Sequence, residues 1–407
     1  MRHASTLFTL LYMLWSPCAT ADPNLGNDLP GLLAYAREHN PALAAARHEA
    51  TAAMARSDAA DALADPLLRI EPMDINGNRT TRLTLMQRLP WYGTRDLRQD
   101  NAVAQAEQAA GQQAASDADL ARRMRQGYAQ YYYAAHNEAL TRQMLTLLDG
   151  LEQIAQTRYA NGQGAQQDVI RVQLAQTRLQ DELLAAENTH HHSQVRLNAL
   201  LSRPGMAELA EPQQLPPVPA PAQLDERTLL AQVDAANPQL RIAEADVRAA
   251  DSQRELTYAE RYPDVTLGVA PTLAGGSVQS WNLMLELAVP LQQSARRSQE
   301  GAADAALAAA DARRQAWRDQ QHAALSEALA SLETARRSET LIATRLLPQA
   351  RLAADAALAG YETGQVAFSM LIDAQQQLLA IRRQQLQAQT EMQLRLADIE
   401  NLIGETL

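Results

Sequence analysis

The sequence predicts a mainly α-helical protein with a small β part. We expect long antiparallel coiled-coil helices that form a trimeric α-barrel, and four membrane strands per chain that complete a 12-stranded trimeric β-barrel. Three observations predict these helices and strands: the two halves of the chain resemble each other, long stretches of each half lack helix breakers, and four short segments alternate apolar with small or polar residues.

Composition excludes several classes of protein. Only 4% of the 407 residues are aromatic, which is few for the core of an enzyme of this length. Alanine, leucine, glutamine, arginine and glutamate dominate, and these residues favour long, closely packed helices. The net charge of −11 argues against a nucleic-acid partner, because binding phosphates requires a basic surface.

The first residues have the pattern of a signal peptide. Arg2 and His3 precede the apolar run Leu7–Trp15, and small residues at 19–21 predict cleavage before Asp22. We therefore expect a signal peptide at 1–21 and export of the chain. A lipoprotein anchored at Cys18, the one cysteine of the chain, is an alternative.

The rest of the chain is a tandem duplication. The segments beginning HNPAL and ANPQL place Pro41 and Pro238 197 residues apart, and YANGQ and YETGQ place Tyr159 and Tyr361 202 residues apart. We predict a first repeat at 22–202, a proline-rich connector at 203–223 and a second repeat at 224–407.

Each repeat is predicted to contain the same helices. A helix of medium length starts near Asp28 or Asp225, and a very long one, about 100 Å over residues 94–159, requires another long helix as its partner. Apolar residues at coiled-coil spacing predict the buried stripes, namely Leu140, Met144, Leu147, Leu151 and Ile154 in the first repeat and Met392, Leu396, Ile399 and Ile403 in the second. Gly162 and Gly364 mark the reversals, because a helix end that needs positive φ favours glycine.

Four segments have the period-two pattern of strands. In SWNLMLELAVP, Trp281 and the alternate leucines share one face; RLTLMQRLP and PDVTLGVAP alternate similarly, whereas PLLRIEPMD contains Pro72. Each has about the 9–11 residues of a membrane strand, with turns expected at Asn76–Asn78 and Ala274–Ser277. Trp281 and Trp91 stand near strand ends, where aromatic side chains anchor a barrel at the lipid interface. The alternative for the four segments is a soluble sheet beside a helical domain, and the alternative for Trp91 is simple packing.

From residue 28 to residue 404 the chain resembles the TolC-like outer-membrane efflux proteins. The resemblance depends on the repeat, on LPWYGTR where a strand meets a long helix, and on the two hairpins YANGQGAQQDVIRVQLAQTRLQ and YETGQVAFSMLIDAQQQLLA. The LPWYGTR motif is most similar to the branch that serves cation-efflux pumps.

Geometry and resemblance together imply a passive channel rather than an enzyme. Four strands cannot close a barrel, but three chains supply twelve, so we expect a homotrimer in outer-membrane lipid that spans into the periplasm. The resemblance implies a tripartite system in which an inner-membrane pump, of the RND type, delivers metal cations or drugs through a periplasmic adaptor. It further implies that the adaptor docks at the hairpin tips, at Gly162, Gln163, Gly364 and Gln365.

The resemblance also implies a gate. Asp373 and Asp168 match family aspartates near the tips, and Met370 stands where a second aspartate ring would be. Three copies of Asp373 would form a carboxylate ring that attracts cations. The alternative is that Asp373 complements its helix N-terminus or pairs with an arginine of a neighbouring hairpin.

Other functions fit the sequence less well. A periplasmic coiled-coil adaptor, the main alternative, needs one hairpin rather than two, and a fumarase-type lyase needs a catalytic loop that the sequence lacks. We expect no cofactor and no metal site. Consecutive residues such as His190, His191 and His192 diverge on a helix, and a methionine relay for a soft cation through Met73, Met86, Met284 and Met370 is a minor alternative to packing.

Overall fold

The structure is a computed structural model that describes residues 25–75 and 78–407. The expected signal peptide, with Cys18, and residues 76 and 77 of the first expected turn lie outside the described residues.

The described elements occur in the same order in both halves. The first half contains α1 (Leu29–His39), α2 (Pro41–Ala59), β1 (Leu67–Ile75), β2 (Asn78–Leu89), α3 (Thr94–Ala160) and α4 (Gln166–Leu200). The second half contains α5 (Glu226–Ala236), α6 (Pro238–Ala259), β3 (Asp264–Ala274), β4 (Ser277–Ala288), α7 (Gln293–Leu341), a π segment (Ile342–Leu346), α8 (Leu347–Glu362) and α9 (Phe368–Ile403).

The prediction of a single medium-length helix at the start of each half is wrong, because the structure has two helices there. Asn40 separates α1 from α2: its Oδ1 accepts the backbone N–H groups of Ala42 and Leu43 at 3.0 and 3.1 Å, and Pro41 is the first helical residue. Asn237 separates α5 from α6 in the same way. An asparagine N-cap followed by proline starts a new helix rather than continuing the old one.

The long helix of the second half is interrupted, whereas α3 runs unbroken for 67 residues. At the interruption, the N–H of Leu347 donates to the carbonyl of Ile342, the spacing of a π turn. Pro348 follows in the first turn of α8 and has no N–H for the carbonyl one turn earlier. We attribute the π segment to this missing donor.

The four strands form one antiparallel sheet in the order β1-β2-β3-β4. The pairing of β2 with β3 joins the two halves of the chain, and β1 and β4 are the edges. Pro72 lies in β1, where an edge strand tolerates a residue without an N–H. Gly275 and Gly276, both with positive φ, form the turn between β3 and β4.

The helices pack side by side in a layer that has two open edges. Near the sheet, α2, α3, α6 and α7 pack in that order, and toward the hairpin turns the order is α4, α3, α9, α8. The described chain is therefore a strip with β1, α2 and α4 along one edge and β4, α7 and α8 along the other. In the described part of the chain, no helix is long and apolar enough to span a membrane.

The predicted buried stripe of α3 is shifted by part of a turn. Met144 and Leu151 are buried as expected, but the buried face also takes in Thr141, Leu148 and Ala155, and Ile154 is 36% exposed. Small side chains let the neighbouring helices approach this face closely, and a search for large apolar residues overlooks them. In α9 the prediction holds better, since Leu396, Ile399 and Ile403 are buried and Met392 is half-buried.

The segment between α4 and α5, which contains the predicted connector, crosses the strip and is bound to three of its helices. Its backbone carbonyls accept hydrogen bonds from Tyr131 of α3 at 3.3 Å, Gln393 of α9 at 2.6 Å and Arg336 of α7 at 2.7 Å. Leu209 of this segment is buried in the core formed by α1, α3 and α4. The connector therefore fastens the helices of both halves to each other.

Candidate functional site

The two hairpins end in the same turn. After α3, Gly162 has a φ of 72°, and the N–H groups of Gly162 and Gln163 donate to the carbonyls of Tyr159 and Arg158 at 3.0 and 2.8 Å. After α8, Gly364 has a φ of 74°, and the equivalent bonds have the same two lengths. The prediction of positive φ at both glycines is confirmed. Gln163 and Gln365 are exposed beside these glycines at the extreme end of the hairpins.

An arginine of the first tip is bound to the second. The guanidinium of Arg158 donates to the carbonyl of Tyr361 at 2.7 Å and lies 4.8 Å from the centre of the Tyr361 ring. That ring is buried against Phe368, with 5.0 Å between the ring centres, and burial raises the pKa of Tyr361. Arg158 therefore neutralises the carbonyl end of α8 and packs on its last aromatic ring. Sequence reasoning missed this link. The signal in the sequence is an arginine before the first tip that has no counterpart before the second tip.

The same position differs between the repeats for a steric reason. Gly360 is the counterpart of Arg158, and a Cβ added to Gly360 would lie 2.4 Å from a methyl of Val366. The second tip therefore has no room for a side chain there, and the contact between the tips comes from the first hairpin alone.

The two aspartates proposed as a gate have different surroundings. Asp168 is half-buried in the first turn of α4, where a carboxylate complements the helix N-terminus. Asp373 is exposed in the second turn of α9, beyond that effect, and among the described residues it takes part in no ion pair. The repeat aligns Asp168 with Met370, which is 61% exposed, and Asp373 with Arg171. The structure of one chain brings the two aspartates to the same end of the molecule, on different helices.

The sheet has one apolar and one polar face. The apolar face carries Trp281, which is 67% exposed, together with Leu283, Leu285 and Leu287 of β4, Leu267 and Val269 of β3, Leu85 of β2 and Leu68 and Ile70 of β1. The opposite face carries Arg69, Glu71, Arg82, Thr84, Asn282 and Glu286. The period-two prediction for all four strands is confirmed.

The two tryptophans stand at opposite ends of the strands. Trp281 lies near the turn that joins β3 to β4, whereas Trp91 follows β2 at the start of the helices. Trp91 stacks on Tyr262 with ring centres 4.8 Å apart, and the backbone N–H of Trp91 donates to the carboxylate of Asp264 at 3.3 Å. Seven residues of strand, about 24 Å, separate Trp281 from the end that carries Trp91. Packing thus explains part of the position of Trp91, as the alternative interpretation expected.

The residues considered as metal ligands are dispersed. His190 binds Glu138 at 2.7 Å, and the rings of His191 and His192 are exposed. Met86 and Met284 meet over Gly268 on the polar face of the sheet, but Met370 lies at the far end of the molecule. Within residues 25–75 and 78–407, no three histidine, cysteine, aspartate or glutamate side chains are grouped to hold a metal ion.

Several solved structures share this fold. The outer-membrane channel OprN superposes with a TM-score of 0.80 at 19% identity, covering 93% of this chain and 91% of that one. CusC, a protein that forms a transmembrane channel, gives a TM-score of 0.81 at 17% identity, covering 93% of this chain and 92% of that one. The outer membrane protein VceC from Vibrio cholerae gives 0.79 at 17% identity and covers 93% and 96%. These TM-scores establish a common fold.

A comparison with curated protein sequences finds no match. The family model of the outer membrane efflux proteins, in contrast, matches residues 229–405, which is nearly all of the second repeat. This match shows that the second repeat resembles the outer membrane efflux proteins in sequence, and the superpositions show that the described chain has the fold of OprN, CusC and VceC.

Proposed function

We propose that the chain is the outer-membrane channel of a tripartite efflux system. It would be a passive homotrimeric conduit for metal cations or drugs, which an RND-type inner-membrane pump delivers through a periplasmic adaptor. The observation that carries the proposal is the strip with two unpaired edges, which supports closure only by further copies of itself. Three copies supply twelve strands, within the range of known outer-membrane barrels. The conduit carries out no chemistry of its own.

The sheet supports insertion in lipid. Its exposed apolar face would be unfavourable in water but suits hydrocarbon, and its polar face suits a water-filled lumen. Trp281 and Trp91, about 24 Å apart along the strands, match the two borders of an apolar band about 25 Å tall. This spacing supports their proposed role as interfacial anchors.

The tips support docking at the other end. Two copies of one turn per chain give six similar tips per trimer, around a single rim. Gly162, Gln163, Gly364 and Gln365 are exposed there and are the proposed contacts for the adaptor. An adaptor itself would be expected to have one hairpin, so the second hairpin favours the channel over that alternative.

Asp373 is the proposed selectivity residue, with Asp168 in a lesser role. Because Asp373 is exposed, lacks an ion pair in the described chain and lies past the first helical turn, its charge remains available to ions in the conduit. A ring of three such carboxylates would favour cations at the entrance. The cation-efflux branch is consistent with this charge, and the family match leaves the cargo open.

Purified trimers in planar bilayers test this proposal. We expect Asp373→Ala to lower the cation-to-anion permeability ratio several-fold and to weaken block by multivalent cations, while Asp168→Ala changes both less. Conductance typical of an open channel, with selectivity and block unchanged in Asp373→Ala, would remove Asp373 from the pore. Absence of any channel from the wild-type protein would contradict the conduit itself.

A further inference from the structure

A cavity of about 300 Å³ opens where α3, α8 and α9 meet, some way from the tips. Its base consists of leucines, and its rim carries Arg351 of α8, Arg382 of α9 and His136 of α3. We call this cavity, lined by residues including these three, the arginine pocket. It is an apolar depression with basic groups from three different helices around it.

The two arginines of the pocket are among the described arginines that have no carboxylate partner. Arg382 is half-buried and Arg351 is exposed, and in the part of the chain that the structure describes neither forms an ion pair. The adjacent Arg383, in contrast, binds Glu182 and Thr141, both at 2.8 Å. In the larger cavity between α3, α7 and α9, Arg122 and Arg395 each contact carboxylates. A half-buried guanidinium without a carboxylate loses hydration that an anion would restore.

One carboxylate near the pocket, that of Glu339, is bound by glutamines. Glu339 accepts from the side-chain amides of Gln385 and Gln389, both at 3.4 Å, and these two glutamines line the cavity. The glutamines therefore stand between Glu339 and the cavity, and the residues that line the cavity include no acid.

The π segment places α8 against this site. It ends at Leu346, and the next residue, Leu347, lies in the wall of the cavity one turn before Arg351. Each residue inserted in a helix turns the following residues by about 100°, so an unbroken α-helix would aim Arg351 elsewhere. Interruptions of this kind occur frequently at functional sites.

A neighbouring copy of the chain is a poor candidate for the occupant. The pocket draws on α3 and α9, the two inner helices of the strip, and α8 is the single edge helix involved. It therefore opens on a face of the strip rather than along an edge. We propose that the arginine pocket binds a small amphiphilic organic anion, an aromatic or short aliphatic group that bears a carboxylate or sulfonate. The apolar part contacts the leucines, and the anionic group bridges Arg351 and Arg382.

Naphthalene-2-sulfonate is a suitable probe, with the neutral naphthalene-2-sulfonamide as its matched analogue. Binding to the purified full-length protein is measured by equilibrium dialysis, with a detergent-only chamber as the blank. We expect saturable binding of the sulfonate at one site per chain, and at least tenfold weaker binding of the sulfonamide. Inorganic phosphate should compete weakly, because it lacks an apolar part.

The double variant Arg351→Gln/Arg382→Gln should weaken sulfonate binding at least tenfold. Arg171→Gln/Arg345→Gln removes two exposed positive charges outside the cavity and should bind as the wild type does. Gln385→Glu supplies the missing carboxylate and should also abolish binding while keeping the folded trimer. Equal binding of sulfonate and sulfonamide, full competition by phosphate, or unchanged binding in the Arg351/Arg382 variant would overturn the proposal. None of these outcomes depends on efflux.

Discussion

At the scale of single residues, Arg158 makes a polar link between the two tips of one chain. Its bonds to the carbonyls of Tyr361 and Glu362 and its packing on the Tyr361 ring cross between the hairpins. A partly buried, charge-assisted hydrogen bond of this kind stabilises by roughly 2 kcal/mol. A loss of that size corresponds to about a thirtyfold shift between linked and separated tips.

Arg158→Gln should therefore loosen the tip end of the proposed conduit. We expect a higher mean single-channel conductance with larger fluctuations, recorded from purified trimers in planar bilayers. Arg171→Gln removes an exposed arginine of α4 that has no ion pair in the described chain, and it serves as the control. If the Arg158 variant conducts like the wild type, the link has no part in the width of the tip.

Asn40 and Asn237 each join the second helix of a repeat to the last one. Asn40 donates to the carbonyl of Leu200 at 3.1 Å, and Asn237 donates to that of Leu402 at 2.7 Å, in addition to their caps. Asn237 is only 2% exposed, whereas Asn40 is half-buried. Asparagine thus caps one helix and bonds to the last helix in both repeats, and it is more deeply buried in the second repeat.

Asn237→Ala should cost about 2–3 kcal/mol, because it removes a cap and leaves a buried carbonyl without its donor. Asn40→Ala should cost about 1 kcal/mol, since water can reach the freed groups. The midpoints of thermal unfolding should fall in that order, and Gln239→Ala, at an exposed position of α6, should change little. Equal midpoints for the two asparagine variants would contradict the importance of burial.

At the scale of elements, the two turns are the part of the hairpins that depends most on glycine. A Cβ at Gly162 would meet nothing within 4 Å, so the cost of a side chain there is purely conformational, about 1–2 kcal/mol. The same backbone conformation occurs at Gly364.

Gly162→Val/Gly364→Val should distort both tips and abolish efflux, measured as the resistance of cells that depend on this channel. Trimer mass and membrane insertion should be retained, because the turns lie far from the sheet. Gly150→Val is the matched control, since Gly150 also has open space around it but lies within α3 at ordinary φ. Full efflux in the double variant would place the docking surface elsewhere.

The sequence predicted those elements whose pattern is local. The four strands, the start of α3 at Thr94 and the two turns agree with the structure, because alternation and glycine punctuation are short-range signals. The break at Asn40 shows in the sequence as an Asn-Pro pair, which the prediction of one helix from Asp28 does not allow for. The π segment could not be predicted, since it depends on how the chain accommodates Pro348 against α9.

Contacts between the repeats were the least predictable. Arg158 reaches Tyr361 across about two hundred residues of sequence, and the connector is held by side chains from three helices. The periodicity of a helix or strand carries no information about contacts between residues so far apart in the sequence. The phase of the α3 stripe failed for a related reason, because Thr141 and Ala155 are buried by close approach of neighbouring helices rather than by their own hydrophobicity.

At the scale of the whole molecule, the two open edges of the strip favour association with further copies of the chain. β1 and β4 leave backbone hydrogen-bonding groups unpaired, and such edges favour pairing with another chain. Alanine-rich helices α2 and α7 lie along the same two edges and are largely exposed. We expect edge-to-edge association of identical strips to close into a ring, and the proposed three copies would supply twelve strands.

Cysteine cross-linking between β1 and β4 tests this account most directly. The described residues contain no cysteine, so a cysteine at Ile70 of β1 can be combined with one at Trp281, Leu283, Leu285 or Leu287, the alternate residues on the same face of β4. After oxidation in membranes, we expect at least one pair to yield covalent dimers and trimers and nothing larger, while each single-cysteine variant yields no trimer. A ladder that continues beyond three chains, or no cross-link from any pair, would contradict a closed ring of three.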